Sequence, residues 1–273
     1  MKIALCQLNS GQDRQANIAA ALKGLDEAGA KGARLAMLPE CIDYMGPIEG
    51  VKENSEPFNG PSVEAFAAKA KEHQMWVLAG TLRTTDGIDA RCSNTAYLIT
   101  PEGKIASFYN KVHMFDVKIK GQVDFLESAV VKPGSSVGFS AIDDIPVGIS
   151  ICYDLRFPEL FRAQALMGAK ILFLPAAFTM FTGKDHWEVL LRARAIENQC
   201  FVVATGQWGT HAPGITSYGR SLVVDPWGTV IACAPDGVNT TVVDLPMGRI
   251  EDVRNSLPSL ANRKPEVYKD ALL

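Results

Sequence analysis

Three pairs of segments in this chain echo one another in the same order, and that repetition restricts the fold more than any other feature. GARLAMLP (Gly32 to Pro39) resembles GAKILFLP (Gly168 to Pro175), and AKAKEHQMWVLAG (Ala68 to Gly80) resembles ARAIENQCFVVAT (Ala193 to Thr205). YLITPEGKI (Tyr97 to Ile105) resembles LVVDPWGTV (Leu222 to Val230), at the same interval as the second pair. One such match would mean little, because Gly and Pro punctuate loops everywhere. Three in order indicate a duplicated layout. Each copy reads as a strand (Ile3–Leu8 or Val147–Cys152), a helix, an apolar strand ending in Leu-Pro, a second helix, and two strands. A tight Pro-x-Gly turn joins the last two strands of each copy. Helical spacing shows at Ile18, Ala21, Leu22 and Leu25, and again at Trp187, Leu190, Leu191 and Ala195. Strands that are apolar throughout belong in a sheet covered by helices. Two such layers, packed sheet to sheet with helices outside, form an α–β–β–α sandwich of two similar halves. No linker rich in Gly, Ser or Pro divides the chain, so residues 1–273 are expected to form one domain, with a C-terminal arm from about 246 to 273.

At 273 residues the chain can bury a substantial core, and its 47% hydrophobic and 21% charged content is that of a soluble globular enzyme. A formal net charge of -3 lacks the basic excess of a nucleic-acid surface. No apolar run approaches the ~20 residues of a membrane span. The opening MKIALCQLNS is too polar for a signal peptide and reads as a strand, so a cytoplasmic protein is expected. The six cysteines (Cys6, Cys41, Cys92, Cys152, Cys200, Cys233) are scattered without a CxxC pair, which argues against a zinc site or a disulfide framework. Most should be buried and inert. The segment from Ser107 to Asp144, between the halves, is rich in Gly, Lys and Asp and lacks clear periodicity. It is expected to be a long irregular connection with a functional role.

Four side chains stand where chemistry is possible. Cys152, in SICYDLRFPEL, ends an apolar strand and precedes a helix start, the edge at which ligands bind in open α/β sheets. Helix amides and a nearby cation would favour its thiolate, lowering the thiol from about 8.5; a buried strand-end Cys without a role fits equally. Glu40 follows the strand LAMLP and is either a solvated loop carboxylate or a general base at another strand end. Lys111, in SFYNKVHMFD, either snorkels to the surface or points into a pocket. Glu127, in DFLESAVVKPG, is ambiguous alone.

Together the motifs resolve the ambiguity. LPE, YNKVHMFD, ICYDLRFPEL, PAAFTMFTGKDHWEVLLRARAIENQCFVVA and SYGRSLVVDPWG, spread in order from Lys2 to about Tyr268, resemble the nitrilase superfamily of carbon–nitrogen hydrolases. The resemblance implies the α–β–β–α sandwich read above. It also implies Cys152 as nucleophile, Glu40 as general base, Lys111 as electrostatic partner and Glu127 as a second acid orienting Lys111 and substrate. The tetrahedral oxyanion would be met by Lys111 and the backbone N–H of Tyr153, and a thioester would form on Cys152. No metal or organic cofactor is implied. Arg156 could be a surface salt-bridge partner or, as a planar guanidinium, a carboxylate receptor. The resemblance favours the second, with Phe178 and Thr182 beside the substrate, and so a small anionic amide.

Within the superfamily the Nit branch is the most similar. It implies cleavage of deaminated glutathione, or alternatively ω-amidase action on α-ketoglutaramate; a nitrilase, another aliphatic amidase or a catalytically silent scaffold are further alternatives. The run ATGQWGTHAPGITSYGRS (Ala204 to Ser221) resembles the deaminated glutathione amidases through Gln207, His211 and SYG, but Arg220 stands where a His is usual. A Cys–His hydrolase would use His113 or His186 as base, yet ICYDL lacks the flanking glycines of a nucleophile elbow. His186 is expected to open a helix in a structural role. Relatives commonly assemble, so a homo-dimer or larger homo-oligomer is expected, with the arm RNSLPSLANRKPEVY (Arg254 to Tyr268) reaching a neighbour.

Overall fold

The computed structural model describes residues 1–120 and 123–268. The first half runs β1 (Lys2–Gln7), α1 (Arg14–Ala30), β2 (Leu35–Met37), β3 (Glu56–Pro57), α2 (Pro61–Glu72), β4 (Trp76–Thr85), β5 (Ser93–Ile99) and β6 (Ile105–Asn110). A ribbon of β7 (Asp116–Ile119) and β8 (Val123–Leu126) leads to the second half. There follow β9 (Gly138–Ile142), β10 (Ile145–Ile149), a 3-10 turn (Cys152–Arg156), α3 (Pro158–Leu166), β11 (Ile171–Ala176), α4 (Met180–Asn198) and β12 (Phe201–Gly206). A hairpin, β13 (Trp208–Ala212) and β14 (Ile215–Tyr218), then precedes β15 (Leu222–Val224), β16 (Val230–Cys233), β17 (Asn239–Asp244), α5 (Arg249–Ser256) and α6 (Pro265–Tyr268).

The duplication is visible strand by strand. One sheet has the order β17-β1-β2-β4-β5-β6, with β3 beside β4, and the other β16-β15-β12-β11-β10-β9. Thus β1, β2, β4, β5 and β6 correspond to β10, β11, β12, β15 and β16. In both halves the first three of these pair in parallel and the last two join antiparallel. Each sheet also gains one antiparallel neighbour, β17 on β1 and β9 on β10.

Period-two alternation separates two apolar layers. Ile3, Leu5, Leu35 and Met37 pack with Val147, Ile149, Ile171 and Phe173 between the sheets. Ala4, Cys6, Ala36 and Val77 instead face Leu25 and Ala28 of α1 and Phe66 of α2. Burying each Leu, Ile or Phe contributes roughly 1.5–3 kcal/mol, so the intersheet layer fixes how the two sheets, and their strand ends, face one another. The α–β–β–α sandwich is therefore the fold.

Three local expectations are corrected. Residues 107–144 are not an irregular connection: they complete β6 and form β7, β8 and β9, while 121–122 lie outside the described residues. The ribbon's short, alternately exposed β7 hides its pairing in a polar sequence. The helix carrying His186 starts at Met180, six residues earlier than expected, so His186 sits in its second turn. Cys152 is followed by a 3-10 turn before α3, with Pro158 at the first position of the helix. Of the arm at 246–273, residues 269–273 lie outside the described residues; α5 packs Ile250 and Val253 inward, whereas most of 257–268 is exposed. No helix among the described residues is long and apolar enough to cross a membrane.

Candidate active site

Glu40 owes its position to a close backbone approach. Past β2, the Leu38 N–H donates to the Leu78 carbonyl at 3.0 Å and the Thr81 N–H to the Pro39 carbonyl at 3.2 Å. A Cβ on Gly80 would lie 1.9 Å from the Pro39 oxygen, so only glycine lets the strands meet this tightly. Cys41 then turns the chain with φ 58, its N–H donating to Thr81 Oγ1 at 2.8 Å. Glu40 is thereby aimed inward and is 3% exposed. Its Oε1 accepts from Lys111 Nζ at 3.0 Å and Asn94 Nδ2 at 2.9 Å, and its Oε2 from the Ala177 N–H at 2.9 Å.

Lys111 follows β6, with its N–H donating to the Asn94 carbonyl at 3.0 Å. Its ammonium bridges Glu40 and Glu127, donating to Glu127 Oε2 at 2.8 Å. Glu127 Oε2 also accepts from the Phe115 N–H at 2.7 Å. Burial pulls Lys111 toward its neutral form, but the charges of Glu127, Glu40 and Cys152 outweigh it and hold its pKa well above the ordinary lysine value. For Glu127, burial favours the neutral acid, and Lys111 with Arg83 overcomes it, leaving the carboxyl below its usual range. The snorkelling and solvated-loop readings of Lys111 and Glu40 are thus excluded: both side chains are buried.

Cys152 sits past the end of β10 with φ 43, a left-handed conformation a non-glycine residue adopts only under constraint. Asp154 supplies the constraint. Its Oδ2 accepts from the Ile151 N–H at 2.8 Å and the Tyr109 hydroxyl at 2.9 Å, and its Oδ1 contacts His113 Nδ1 at 2.7 Å. Tyr153 follows in the first turn, where a backbone N–H has no acceptor within its own helix. The expected thiolate is not favoured. Burial first, then the charge of neighbouring Glu40, push the Cys152 thiol well above its usual pKa, and Lys111 only partly opposes them.

Glu40, Lys111, Glu127 and Cys152 all line one cavity of about 510 Å³. A narrower cleft meets it at Cys152 and is bordered by Tyr153, Arg156, Phe178 and Thr182. The Arg156 guanidinium lies 5.2 Å from the Phe178 ring centroid and donates to His186 Nδ1 at 3.2 Å. His113 is engaged by Asp154 and stacked on Phe157 at 3.6 Å, and His186 is exposed on α4. In the Ala204–Ser221 run, Gly214 to Ser217 border the cavity. Gln207 instead braces Glu40 from behind, donating to its carbonyl at 2.9 Å, and His211 Nδ1 donates to the Ser10 carbonyl at 2.7 Å. Arg220 pairs with Asp236 at 3.3 Å on the surface.

Two further residues touch this cluster or border the cavity without being marked by the sequence. Asn94, fully buried on β5, donates to Glu40 Oε1 and, at 3.3 Å, to Glu127 Oε1. Arg83, on β4, borders the cavity and donates from Nη2 to Cys41 Sγ at 3.1 Å. Neither carries a motif; each is a polar residue inside an apolar strand, which is the signal that could have drawn attention.

A buried Cys thus lies beside a carboxylate–lysine–carboxylate cluster where the strand ends of two stacked sheets converge. The carbon-nitrogen hydrolase family model matches residues 2–255, and the chain belongs to that family. It is 39% identical over 273 residues to the deaminated glutathione amidase of Homo sapiens, covering 97% of this chain and 83% of that protein. It is 38% identical over 271 residues to the Caenorhabditis elegans nitrilase and fragile histidine triad fusion protein NitFhit. That match takes in 97% of this chain but only 61% of the fusion protein, whose structure superposes with a TM-score of 0.92 at 38% identity, covering 98% of this chain and 66% of that one. Saccharomyces cerevisiae Nit3, of branch 10 of the nitrilase superfamily, superposes with a TM-score of 0.86 at 29% identity over 94% of each chain.

Proposed function

We propose that this chain is an amidase hydrolysing deaminated glutathione, with Cys152 as nucleophile, Glu40 as general base and Lys111 as electrostatic partner. The observation that carries this reading is Lys111, held between Glu40 and Glu127 on the wall of the cavity that Cys152 lines. The choice of substrate is supported by the human relative's activity and by Arg156, Phe178 and Thr182 grouped at Cys152, a setting for the carboxylate of an α-keto acid.

The raised thiol makes deprotonation and attack one event. Glu40 takes the Cys152 proton as sulfur bonds to the amide carbon, and the carbonyl electrons move to oxygen. Lys111 Nζ and the Tyr153 N–H stabilise that oxyanion. Its collapse breaks the C–N bond, Glu40 returns the proton to the departing nitrogen, and an acyl thioester remains. Glu40 then takes a proton from water as its oxygen attacks the thioester carbon. The second collapse expels the sulfur, which recovers the proton as the free acid leaves. Glu127 and Asn94 act as positioning residues that keep Lys111 and Glu40 in register. The assay is α-ketoglutarate release from deaminated glutathione and, separately, from α-ketoglutaramate. The proposal expects the first to be preferred; preference for the second means an ω-amidase, and silence on both removes the substrate reading. We also propose a homo-dimer or larger assembly using the exposed arm before Tyr268; light scattering showing a monomer at micromolar concentration would remove it.

A further inference from the structure

Of the described residues in the Ala204–Ser221 run, only Gly214 to Ser217 border the cavity, so Gln207 and His211 serve elsewhere. Both reach into the seam between the two halves of the chain. Gln207 is fully buried, and both ends of its side-chain amide are engaged. Oε1 accepts from the Ser10 N–H at 3.0 Å, while Nε2 donates to Ser10 Oγ at 2.8 Å and to the Glu40 carbonyl at 2.9 Å. The Cys41 carbonyl lies a little farther off, at 3.4 Å. These partners fix the amide's orientation, because flipping it would set its NH2 against the Ser10 N–H and its oxygen against two carbonyls. His211 grips the same loop: its Nδ1 donates to the Ser10 carbonyl at 2.7 Å, and burial favours its neutral form.

The backbone of Gln207 adds a second tie. Its N–H donates to the Ala176 carbonyl at 2.9 Å, at the end of β11. The next residue, Ala177, presents the N–H that Glu40 Oε2 accepts at 2.9 Å. One buried residue is therefore bonded both to the main chain of Glu40 and to the strand end that receives its carboxylate. Those two points belong to different sheets, and a shift between them moves the carboxylate relative to Cys152. The first sheet cannot set that distance alone. Leu78 and Thr81 hold Leu38, Pro39 and Cys41 from within it, on either side of Glu40. The tie also falls at a constrained place, since Cys41 turns the chain with φ 58. A displacement of about 1 Å at a reacting group can cost about 100-fold in rate.

We propose that Gln207 is a positioning residue for the general base, holding Glu40 across the seam from the second half of the chain while His211 steadies the Ser10 loop. This assignment rests on the reading of Glu40 as the base that serves Cys152. It gives the two side chains a role in rate, not in substrate choice.

The test pairs Gln207→Met, which keeps the volume but removes the amide, with Glu40→Gln in the full-length protein. Gln207→Met should lower kcat for deaminated glutathione about 10–100-fold and move KM by about twofold or less. The second readout needs no substrate: the rate at which iodoacetamide alkylates Cys152 at pH 8. Gln207→Met should slow it about tenfold or more where Glu40 is present, and by about twofold or less where Glu40 is already Gln. Residues that act as a unit lose their function only once. Unchanged alkylation in the Glu40 background overturns the proposal. So does slowing by the same factor in both backgrounds, which is what a general structural defect produces. If Gln207→Met fails to fold, Ser10→Ala decides: it removes one acceptor from the amide and should slow alkylation about 2–5-fold, again only where Glu40 is present, and no slowing overturns the proposal. The two readings fail separately. If Glu40→Gln alone leaves turnover and alkylation unchanged, Glu40 is not the base; if it slows both while Gln207→Met slows neither, the base stands and the positioning role is removed.

Discussion

Replacing Lys111 with Met would expose how the cluster is balanced. The ammonium lies 3.0 Å from Glu40 and 2.8 Å from Glu127, and all three side chains are buried. Removing it keeps the volume but leaves two buried carboxylates facing each other with Asn94 between them. Breaking a buried ion pair from one side costs about 3–5 kcal/mol, which for a chain of this size is roughly a 6–20 °C fall in Tm. The pH dependence should reverse as well. In the native protein Glu127 titrates below its usual value, so it contributes stability above the unfolded pKa near ~4.3 that is lost as pH falls through the folded one. In Lys111→Met, burial, the largest influence on Glu127, is opposed only by Arg83 and by the hydrogen bonds from the Phe115 N–H and Asn94, so its folded pKa should rise above the unfolded value. That stability is present below the unfolded pKa and is lost as pH climbs through the folded one. Thermal melts from pH 5 to 8 should therefore show the variant weakening toward pH 8. The double variant Lys111→Met/Glu127→Gln should recover part of the loss, by coupling of about 0.5–3 kcal/mol. A single variant within ~1 kcal/mol of the native protein at pH 8, with the native pH trend, would refute this account of the cluster.

Three further outcomes follow from the same geometry. Glu40→Gln should lower turnover by about 10²–10⁴-fold and also slow alkylation of Cys152 by iodoacetamide at pH 8, because burial keeps the thiol protonated and Gln cannot take its proton as sulfur attacks; faster alkylation would contradict Glu40 as the base. Gly80→Ala drives a Cβ into the Pro39 and Leu38 carbonyls at 1.9 and 2.2 Å. It should cost about 1–3 kcal/mol in a denaturant melt and displace Glu40, so an unchanged turnover rate counts against Gly80 as the spacer. Arg156→Gln should raise KM for α-keto acid amides about 10–100-fold with little change in Tm; an unchanged KM would return Arg156 to a surface role.

The duplicated layout could be read in the sequence because Gly and Pro mark the same strand ends in both halves, around Pro39 and Pro175 and around the turns at Gly103 and Gly228. Glu40 and Cys152 stand out in the sequence for the same reason, each lying just past an apolar run. What stayed hidden depends on contacts between distant strands. Lys111 became a buried bridge only when β6, β2 and the turn at Glu127 were brought together. The direction of the Cys152 shift was misjudged because the nearby sequence displays Arg156 and a helix start, while the dominant influences are burial and a carboxylate from the other half of the chain. Asn94 and Arg83 look like ordinary polar strand residues, and nothing local announces that the strand ends converge on them. The ribbon β7–β8 was missed because its pairing is exposed and leaves no apolar period.

The central claim is that the amide's acyl group is carried on Cys152. Intact-protein mass spectrometry of enzyme quenched during turnover of deaminated glutathione tests it directly. The account predicts a mass increase of one α-ketoglutaryl group, mapped to Cys152 by peptide sequencing and absent from Cys152→Ala, which should also release no α-ketoglutarate. Product formation that survives Cys152→Ala, or an acyl group mapped to another residue, would contradict it.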